Sequence, residues 1–301
     1  MKPKNCLIFG ASGQIGRHLI RKLTKNNYKV TAVTRNLHQK AYLLKTQANA
    51  GYLDIVETNI VNETKLIDLI RKTDICINLI GILFEKGKFN TFNNIHNIFP
   101  SLISKLCKDH NVEQFIHLSA LGIENSYEST YAKSKLDGES NIKKNFNKSV
   151  ILRPSVVFSV DDNFTTKFMP IHCSDLTEVI YQIINKKIIS TTIECVGPET
   201  ISLKNILERL LKMIDKKRLL IPVPLFIAKI NAIFFQIFPK PIITLDQLKL
   251  LNYDNIASGK YKTNFDLGVP SIHKFDTEVS KYSYMWKEAG EFSKKNGKHI
   301  N

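Results

Sequence analysis

The residues Cys6-Leu7-Ile8-Phe9-Gly10-Ala11-Ser12-Gly13-Gln14-Ile15-Gly16 join an apolar run to a helical pattern through three glycines. The first glycine lets the chain turn sharply off a strand, the second lets the backbone approach a pyrophosphate, and the third lets the helix pack closely on the strand. The N–H groups at the start of that helix then face the phosphates. The alternative is a tight strand-to-helix turn that binds no ligand. We predict a nucleotide site formed by Gly10, Ser12, Gly13, Gln14, Ile15 and Gly16.

Strand and helix signals alternate through the first half of the 301-residue chain, which indicates a parallel sheet with crossover helices. We expect an α/β fold, a doubly wound parallel Rossmann sheet with a smaller C-terminal α+β annex. The Rossmann domain is placed at 1–187 and the annex at 188–301, with a disordered tail from about 290. The pattern predicts strands at 4–9, 28–34, 53–57, 74–79, 114–118 and 149–152, and helices at 14–25, 63–71, 92–109 and 129–145.

The chain contains 43 Lys and Arg against 27 Asp and Glu, a net charge of +16. Nucleic acid or an anionic membrane surface would attract this charge. The basic residues are scattered, however, and the excess is mostly lysine, which favours a compositional habit of the chain over either partner. No nucleic-acid-binding module is recognisable, so we expect no nucleic-acid partner. The five cysteines form no C-x-x-C pair, which favours buried thiols in a reducing compartment. No apolar run reaches membrane-spanning length and no leader pattern precedes the first strand, so we expect a cytoplasmic location.

The second predicted strand ends in Thr34-Arg35-Asn36. An acidic residue near this position holds the ribose 2′-hydroxyl of NAD, whereas an arginine suits the 2′-phosphate of NADP. We therefore expect NADP(H) to be favoured over NAD(H), with Arg35 as the phosphate ligand. The alternative is that Arg35 is a solvated residue at a strand end. After the fourth predicted strand, Asn78 and Gly81 allow the backbone to approach the adenine ribose, although a plain strand-end turn would explain them too.

The residues Tyr131-Ala132-Lys133-Ser134-Lys135 form a Y-x-x-x-K pattern, and Ser119 follows the fifth predicted strand. Positions four apart share one face of a helix, so Lys135 is expected beside Tyr131 at the nicotinamide ribose. A nearby ammonium would lower the pKa of the phenol and let Tyr131 act as a general acid or base. The candidate catalytic residues are therefore Tyr131, Lys135 and Ser119.

These motifs together resemble the extended short-chain dehydrogenase/reductase superfamily. The motifs in question are Gly10-x-x-Gly13-x-x-Gly16, Asn78-Leu79-Ile80-Gly81, His117-Leu118-Ser119-Ala120, Tyr131-x-x-x-Lys135 and Arg153-Pro154-Ser155-Val156-Val157-Phe158. An atypical branch is more similar still: the nucleotide-binding accessory subunits of respiratory complex I (alpha subcomplex subunit nine) and their bacterial homologues. That similarity rests on Ile77-Asn78-Leu79-Ile80-Gly81-Ile82-Leu83-Phe84-Glu85, Phe115-Ile116-His117-Leu118-Ser119-Ala120-Leu121-Gly122 and Asp254-Asn255-Ile256.

The resemblance covers nearly the whole chain. It implies a tightly held NADP(H), docking on complex I subunits and a peripheral place on the inner face of the energy-coupling membrane, without implying any turnover. The alternative is an NADP-dependent reductase or a nucleoside-diphosphate-sugar epimerase/dehydratase-like enzyme acting on a small-molecule substrate. In that enzyme Tyr131 would be the acid/base and Lys135 would lower its pKa.

Three features depart from the pattern of the superfamily. Its typical catalytic Ser or Thr falls here at Ala120 or Leu121, while Ser119 is placed to point back toward the sheet. A pocket-wall segment that relatives insert between 161–164 and 168–172 is nearly absent, which would open the nicotinamide end to water. Asn59 stands where relatives often have an adenine-contacting Asp. The first two departures favour a binding role over catalysis.

Two further stretches allow alternatives. His172 and Cys173 precede Asp175, but no second ligand pair lies at a suitable spacing, so we expect His172 to be a packed or capping residue and predict no metal site. The helix predicted at 225–238 is apolar around most of its circumference yet too short to span a bilayer. It suits the core of the annex, a partner protein or a membrane interface.

Overall fold

The computed structural model describes residues 3–157, 166–220, 232–233, 241 and 244–287. The strands of its main sheet are β1 (Asn5–Phe9), β2 (Lys29–Thr34), β3 (Leu53–Glu57), β4 (Ile75–Asn78), β5 (Gln114–Leu118), β6 (Val150–Pro154), β8 (Thr191–Cys195) and β10 (Lys262–Thr263). They are hydrogen-bonded in the order β10-β8-β6-β5-β4-β1-β2-β3, and every pair is parallel. The predicted doubly wound Rossmann sheet is confirmed.

Helices cover both faces of this sheet because its central strand is apolar on both sides. Along β1, Cys6 and Ile8 face one core while Leu7 and Phe9 face the other, as expected when successive side chains alternate. Side chains of α1, α2 and α6 fill the first core, and those of α3, α4 and α5 fill the second. These six helices are α1 (Gln14–Lys25), α2 (Leu37–Lys45), α3 (Glu63–Ile70), α4 (Phe99–Asp109), α5 (Thr130–Asn145) and α6 (Cys173–Asn185).

One predicted helix differs from the structure. The continuous helix expected at 92–109 is divided into a π-helical segment, Asn93–Ile98, and α4. Pro100 explains the division, since it has no N–H to donate to the carbonyl of His96 four residues earlier. Gly138 of α5 packs against the same carbonyl, and a Cβ at Gly138 would lie 1.9 Å from that oxygen. The packing of α5 against the π-helical segment therefore depends on both Pro100 and Gly138.

The C-terminal part of the chain adds smaller elements, namely β7 (Lys167–Phe168), β9 (Ile201–Ser202), α7 (Leu203–Met213), α8 (Leu245–Leu250) and α9 (Phe275–Ser280). β7 and β9 pair antiparallel. The Ser202 side chain caps the start of α7 and that of Thr244 caps the start of α8, where Thr244 forms a full capping box with Gln247. β8 and β10 extend the main sheet although they follow the predicted boundary at 187, which itself stays a prediction.

Two predictions fall largely on residues that are not described. The apolar helix expected at 225–238 lies outside the described residues except for 232–233, and the tail expected from about 290 lies outside them entirely. Within the described ranges, none of the helices combines the length and the apolar character that crossing a bilayer requires.

Replacing Gly138 with Ala tests the contact between α5 and the π-helical segment. Alanine is about 1 kcal/mol better than glycine inside an isolated helix, but here its methyl group would meet the His96 carbonyl at 1.9 Å. We expect the overpacking to outweigh the gain in helix propensity and to lower the free energy of unfolding by about 1–3 kcal/mol, measured by denaturant unfolding. Ser140→Ala, at an exposed position of the same helix, is the matched control. A stabilised Gly138→Ala protein would contradict the packing described.

Candidate functional site

The glycine-rich turn leaves the carboxyl end of β1 and opens α1. Gly10 has a positive φ of +80°, and a Cβ there would lie 3.0 Å from the carbonyl carbon of Leu79. A Cβ at Gly16 would lie 2.5 Å from the Ala11 oxygen, so this glycine brings the helix against the turn. Gly13 is the N-cap of α1 and contributes no capping side chain. The N–H groups of the first helical turn can therefore face an anion.

A cavity of about 610 Å³ lies over this turn. Its volume is within the range of about 300–1,000 Å³ that is usual for small-molecule sites. Of the predicted cofactor ligands, Gly10, Ser12, Gly13, Arg35 and Gly81 line it, while Gln14, Ile15 and Gly16 lie behind them in the first turn of α1. Sequence analysis missed a larger part of the wall: Phe9, Val33, Thr34, Thr58, Ile60, Val61, Leu66, Leu79, Ile80, Ile82, Phe89, Asn90, Ile95 and Phe99.

Arg35 lies at the end of β2, on the wall of the cavity and exposed to solvent. Its guanidinium donates to the side-chain oxygen of Asn90 at 3.1 Å. Asn90 belongs to the loop between β4 and the π-helical segment, where it pairs with Lys86. Asn59, which replaces the acidic residue of relatives, also lines the cavity, and its side chain accepts from the Val61 N–H. A guanidinium therefore lies where a 2′-phosphate is expected.

Asn78, predicted as a cofactor ligand, is fully buried and does not line the cavity. Its amide nitrogen lies 3.1 Å from Nδ1 of His117, and its oxygen accepts from the Ile80 N–H at 3.1 Å. Both ends of the amide thus hold the turn that leads from β4 to Gly81. Its role as a direct ligand stays a prediction that this geometry does not favour.

Tyr131 and Lys135 share a face of α5, as predicted, with Lys135 Nζ 6.0 Å from the centre of the phenol ring. Neither side chain lines the cavity. Gly81 lies between Lys135 and the cavity: it lines the cavity, and a Cβ at Gly81 would lie 3.5 Å from Lys135 Nζ. Lys135 is buried and donates to the Leu118 carbonyl at 3.1 Å. Within the described part of the chain, Ser119 Oγ is buried without a hydrogen-bond partner and so does not bond to the Tyr131 hydroxyl.

The expected lowering of the Tyr131 pKa is wrong. Burial, and then the Asp246 carboxylate, raise the pKa of Tyr131 to about 12. Asp246 of α8 caps the start of α5, accepting from Ser129 Oγ at 2.7 Å and from the N–H groups of Thr130 and Tyr131 at 2.8 and 3.0 Å. Burial lowers the pKa of Lys135 to about 8. The phenol accordingly keeps its proton at neutral pH.

His96 is the main site residue that sequence analysis missed. It lies in the π-helical segment, fully buried, with its ring 5.1 Å from that of Tyr131 and nearly perpendicular to it. Nε2 accepts from the Ile82 N–H at 3.1 Å, which leaves the proton on Nδ1, facing Ser134 Oγ at 3.0 Å. Ser134 Oγ in turn donates to the Tyr131 carbonyl at 2.7 Å. Burial, and then Lys135, lower the pKa of His96 to about 2, so the ring is neutral.

A family model described as NAD(P)H-binding matches residues 10–174, more than half of the chain. The chain belongs to this NAD(P)H-binding family. The glycine turn, the open start of α1 and the cavity above them fit the pyrophosphate and adenosine of such a cofactor. The family model does not distinguish NADP from NAD.

Curated relatives of this NAD(P)H-binding protein include mitochondrial subunits of NADH-ubiquinone oxidoreductase. The chain is 26% identical over 280 residues to the mitochondrial NADH-ubiquinone oxidoreductase 40 kDa subunit of Neurospora crassa, covering 87% of this chain and 74% of that one. It is 23% identical over 284 residues to the mitochondrial NADH dehydrogenase [ubiquinone] 1 alpha subcomplex subunit 9 of Mus musculus, covering 87% and 75%.

A solved structure supports the fold of the NAD(P)H-binding chain. UDP-glucose 4-epimerase from Bifidobacterium longum, in complex with NAD+ and UDP, superimposes with a TM-score of 0.66 over 96% of this chain and 100% of that one. At 13% identity, this likeness concerns the fold alone.

Acid tests the neutral state of His96. Its pKa is about 2 in the folded protein against 6.5 ordinarily, so below pH 6.5 the unfolded chain binds a proton that the folded protein does not. Stability is full above pH 6.5 and is lost as the pH falls, by up to about 1.4 kcal/mol per pH unit. The pKa of buried His117 is lowered too and acts in the same direction. We expect His96→Gln, which keeps an acceptor for the Ile82 N–H, to show a shallower loss in urea unfolding between pH 7 and 5.

His38→Gln, at an exposed position of α2, is the control and should follow the wild-type profile. If the unfolding free energies of His96→Gln and wild type fall in parallel as the pH is lowered, His96 is not a buried neutral ring.

Proposed function

We propose that this protein is an accessory or assembly subunit of respiratory complex I that holds NADP(H) as a structural ligand. Its place is peripheral, on complex I subunits at the inner face of the energy-coupling membrane. The similarity to complex I subunits over 87% of the chain supports this proposal. The charge of +16 also suits a site beside an anionic membrane surface.

The observation on which the proposal depends is the contrast between the cavity and the expected catalytic residues. The glycine turn and Arg35 line an open cavity, whereas Tyr131 and Lys135 lie beyond Gly81. A general acid or base works best with a pKa near the operating pH, and that of Tyr131 is about 12. Ser119, the third candidate, is buried without a bond to Tyr131. A cavity lined by the glycine turn and Arg35, with no complete acid/base machinery on its wall, supports a binding role.

We call the glycine turn, Arg35 and the start of α1 the nucleotide cradle, and in this role each part of it contacts one part of the cofactor. The backbone at Gly10 and Gly13, with the start of α1, would hold the pyrophosphate, and Arg35 would pair with the 2′-phosphate. Lys135 and Tyr131 would border the nicotinamide ribose behind Gly81. The nicotinamide supplies hydride chemistry when bound, but the protein needs only the binding energy. A ligand at a hundredfold excess over its Kd stabilises the folded state by about 2.7 kcal/mol.

Arg35→Gln tests the preference for NADP(H). The substitution keeps a hydrogen-bonding group near Asn90 but removes the positive charge. Because a hydrogen bond to a charged group contributes about 1.5–3 kcal/mol, we expect NADPH affinity to fall about tenfold to a hundredfold and NADH affinity to stay within about twofold. Calorimetric titration with both nucleotides measures this. Arg71→Gln, exposed at the end of α3, is the charge-matched control. An unchanged NADPH/NADH ratio in Arg35→Gln would remove Arg35 from the 2′-phosphate site.

Native fractionation of gently solubilised membranes from the source cells tests the accessory role. We expect the chain, followed by antibody, to migrate with the large complex that has NADH dehydrogenase activity, and deletion of the chain to reduce the amount of that complex. The protein isolated with the complex should contain NADP(H). Migration as a free species, with the amount of complex unchanged on deletion, would reject the proposal.

The second candidate is an NADP-dependent reductase or epimerase-like enzyme, favoured by the shared face of Tyr131 and Lys135. Tyr131→Phe separates the two. As an accessory subunit, the variant should keep NADPH binding and still migrate with the complex. As an enzyme, it should keep NADPH binding and lose turnover on any substrate that the wild type converts.

A further inference from the structure

Three potential metal ligands that are far apart in the sequence meet at the start of α6, the helix that packs on the other face of the sheet from α5. His172 is the N-cap of α6, His273 lies two residues before the first residue of α9, and Glu278 lies within α9. One ligand atom from each lies within 4.8 Å of the others. Sequence analysis predicted no metal site because His172 had no second ligand nearby in the chain. The fold supplies two from about a hundred residues further on.

His273 has the supporting contact that is typical of a metal-binding histidine. Its Nδ1–H donates to Asp175 Oδ1 at 2.6 Å, and its backbone N–H donates to Asp175 Oδ2 at 3.1 Å. Asp175 is 5% exposed, so the carboxylate is fixed. Such a bond places the proton on Nδ1 and directs the lone pair of Nε2 outward, as in the carboxylate–histidine–zinc arrangement. The bonds between Asp175 and His273 therefore orient one ligand before any metal binds.

The other two ligands are already close. The rings of His172 and His273 lie 4.8 Å apart between centroids. His172 Nδ1 accepts from the Ser174 N–H at 3.3 Å, a long bond that a metal can replace. Glu278 is only 8% exposed, and its carboxylate is paired with Lys281. The exposed lysine side chain can turn into solvent when a divalent cation takes its place.

We propose that His172, His273 and Glu278 bind a zinc ion, with Asp175 orienting His273. Two histidines and a carboxylate form a three-ligand set that leaves the fourth tetrahedral position for water or another ligand. Zn–N bonds of about 2.0–2.1 Å bring tetrahedral ligand atoms to about 3.4 Å apart. Closure from 4.8 Å therefore needs small rotations of the three side chains. The bound ion would tie α9 to the start of α6.

Metal titration of the full-length, tag-free protein tests the site. We expect one zinc ion per chain by calorimetry, and visible d–d bands when Co²⁺ is used as the probe. His273→Gln and Glu278→Gln should each weaken zinc binding by about a hundredfold or more. Asp175→Asn, which leaves all three ligands in place, should weaken it by about 10–100-fold. Zinc should also slow amide hydrogen exchange over 271–280.

His38→Gln is the control, since it removes an exposed histidine of α2 and should leave zinc binding unchanged. Circular dichroism and NADPH affinity confirm that each variant is folded. Zinc affinity that is equal in wild type, His273→Gln and Glu278→Gln would overturn the proposal. Binding that never saturates at one ion per chain, or Co²⁺ without d–d bands, would overturn it as well.

Discussion

Pro100 cannot donate a hydrogen bond to the carbonyl of His96, and the geometry around the site depends on that constraint. The chain forms a π-helical segment at this point, Asn93–Ile98. The His96 carbonyl packs against Gly138, where a side chain would not fit. His96 is thereby buried beside Tyr131, with Nε2 holding the Ile82 N–H. The loop that follows β4, and with it one wall of the cavity, is fixed to α5.

The first half of the fold was predictable because its signals are local. Glycine spacing and apolar periodicity gave α1, β3 and β5 with the residue bounds that the structure has. The π-helical segment was not predictable from periodicity, since it needs the missing N–H of one residue and the missing side chain of another on a different helix. The extension of the sheet by β10 likewise depends on a pairing with β8 that is distant in sequence.

In the candidate site, too, the features set by neighbouring residues were predictable and those set by distant residues were not. The glycine turn and Arg35, which both line the cavity, were predictable from sequence because each depends on its own neighbours. The partner of Arg35, Asn90, comes from a loop 55 residues away. The pKa values were harder still: proximity to Lys135 suggested a lowered pKa for Tyr131, whereas burial and Asp246 raise it. Desolvation depends on everything packed around a group, which a motif does not describe.

The cap that Asp246 places on α5 has a consequence for the order in which the protein is made. Asp246 follows Tyr131 by 115 residues, so the ribosome has finished the Rossmann helices well before the cap exists. At about 5–20 residues per second, that interval lasts roughly 6–23 s. Throughout it, the N–H groups of Thr130 and Tyr131 remain hydrated, and the Ser129 side chain alone caps the helix start. The helix start beside the nucleotide cradle is thus completed late in synthesis, when the C-terminal part of the chain arrives.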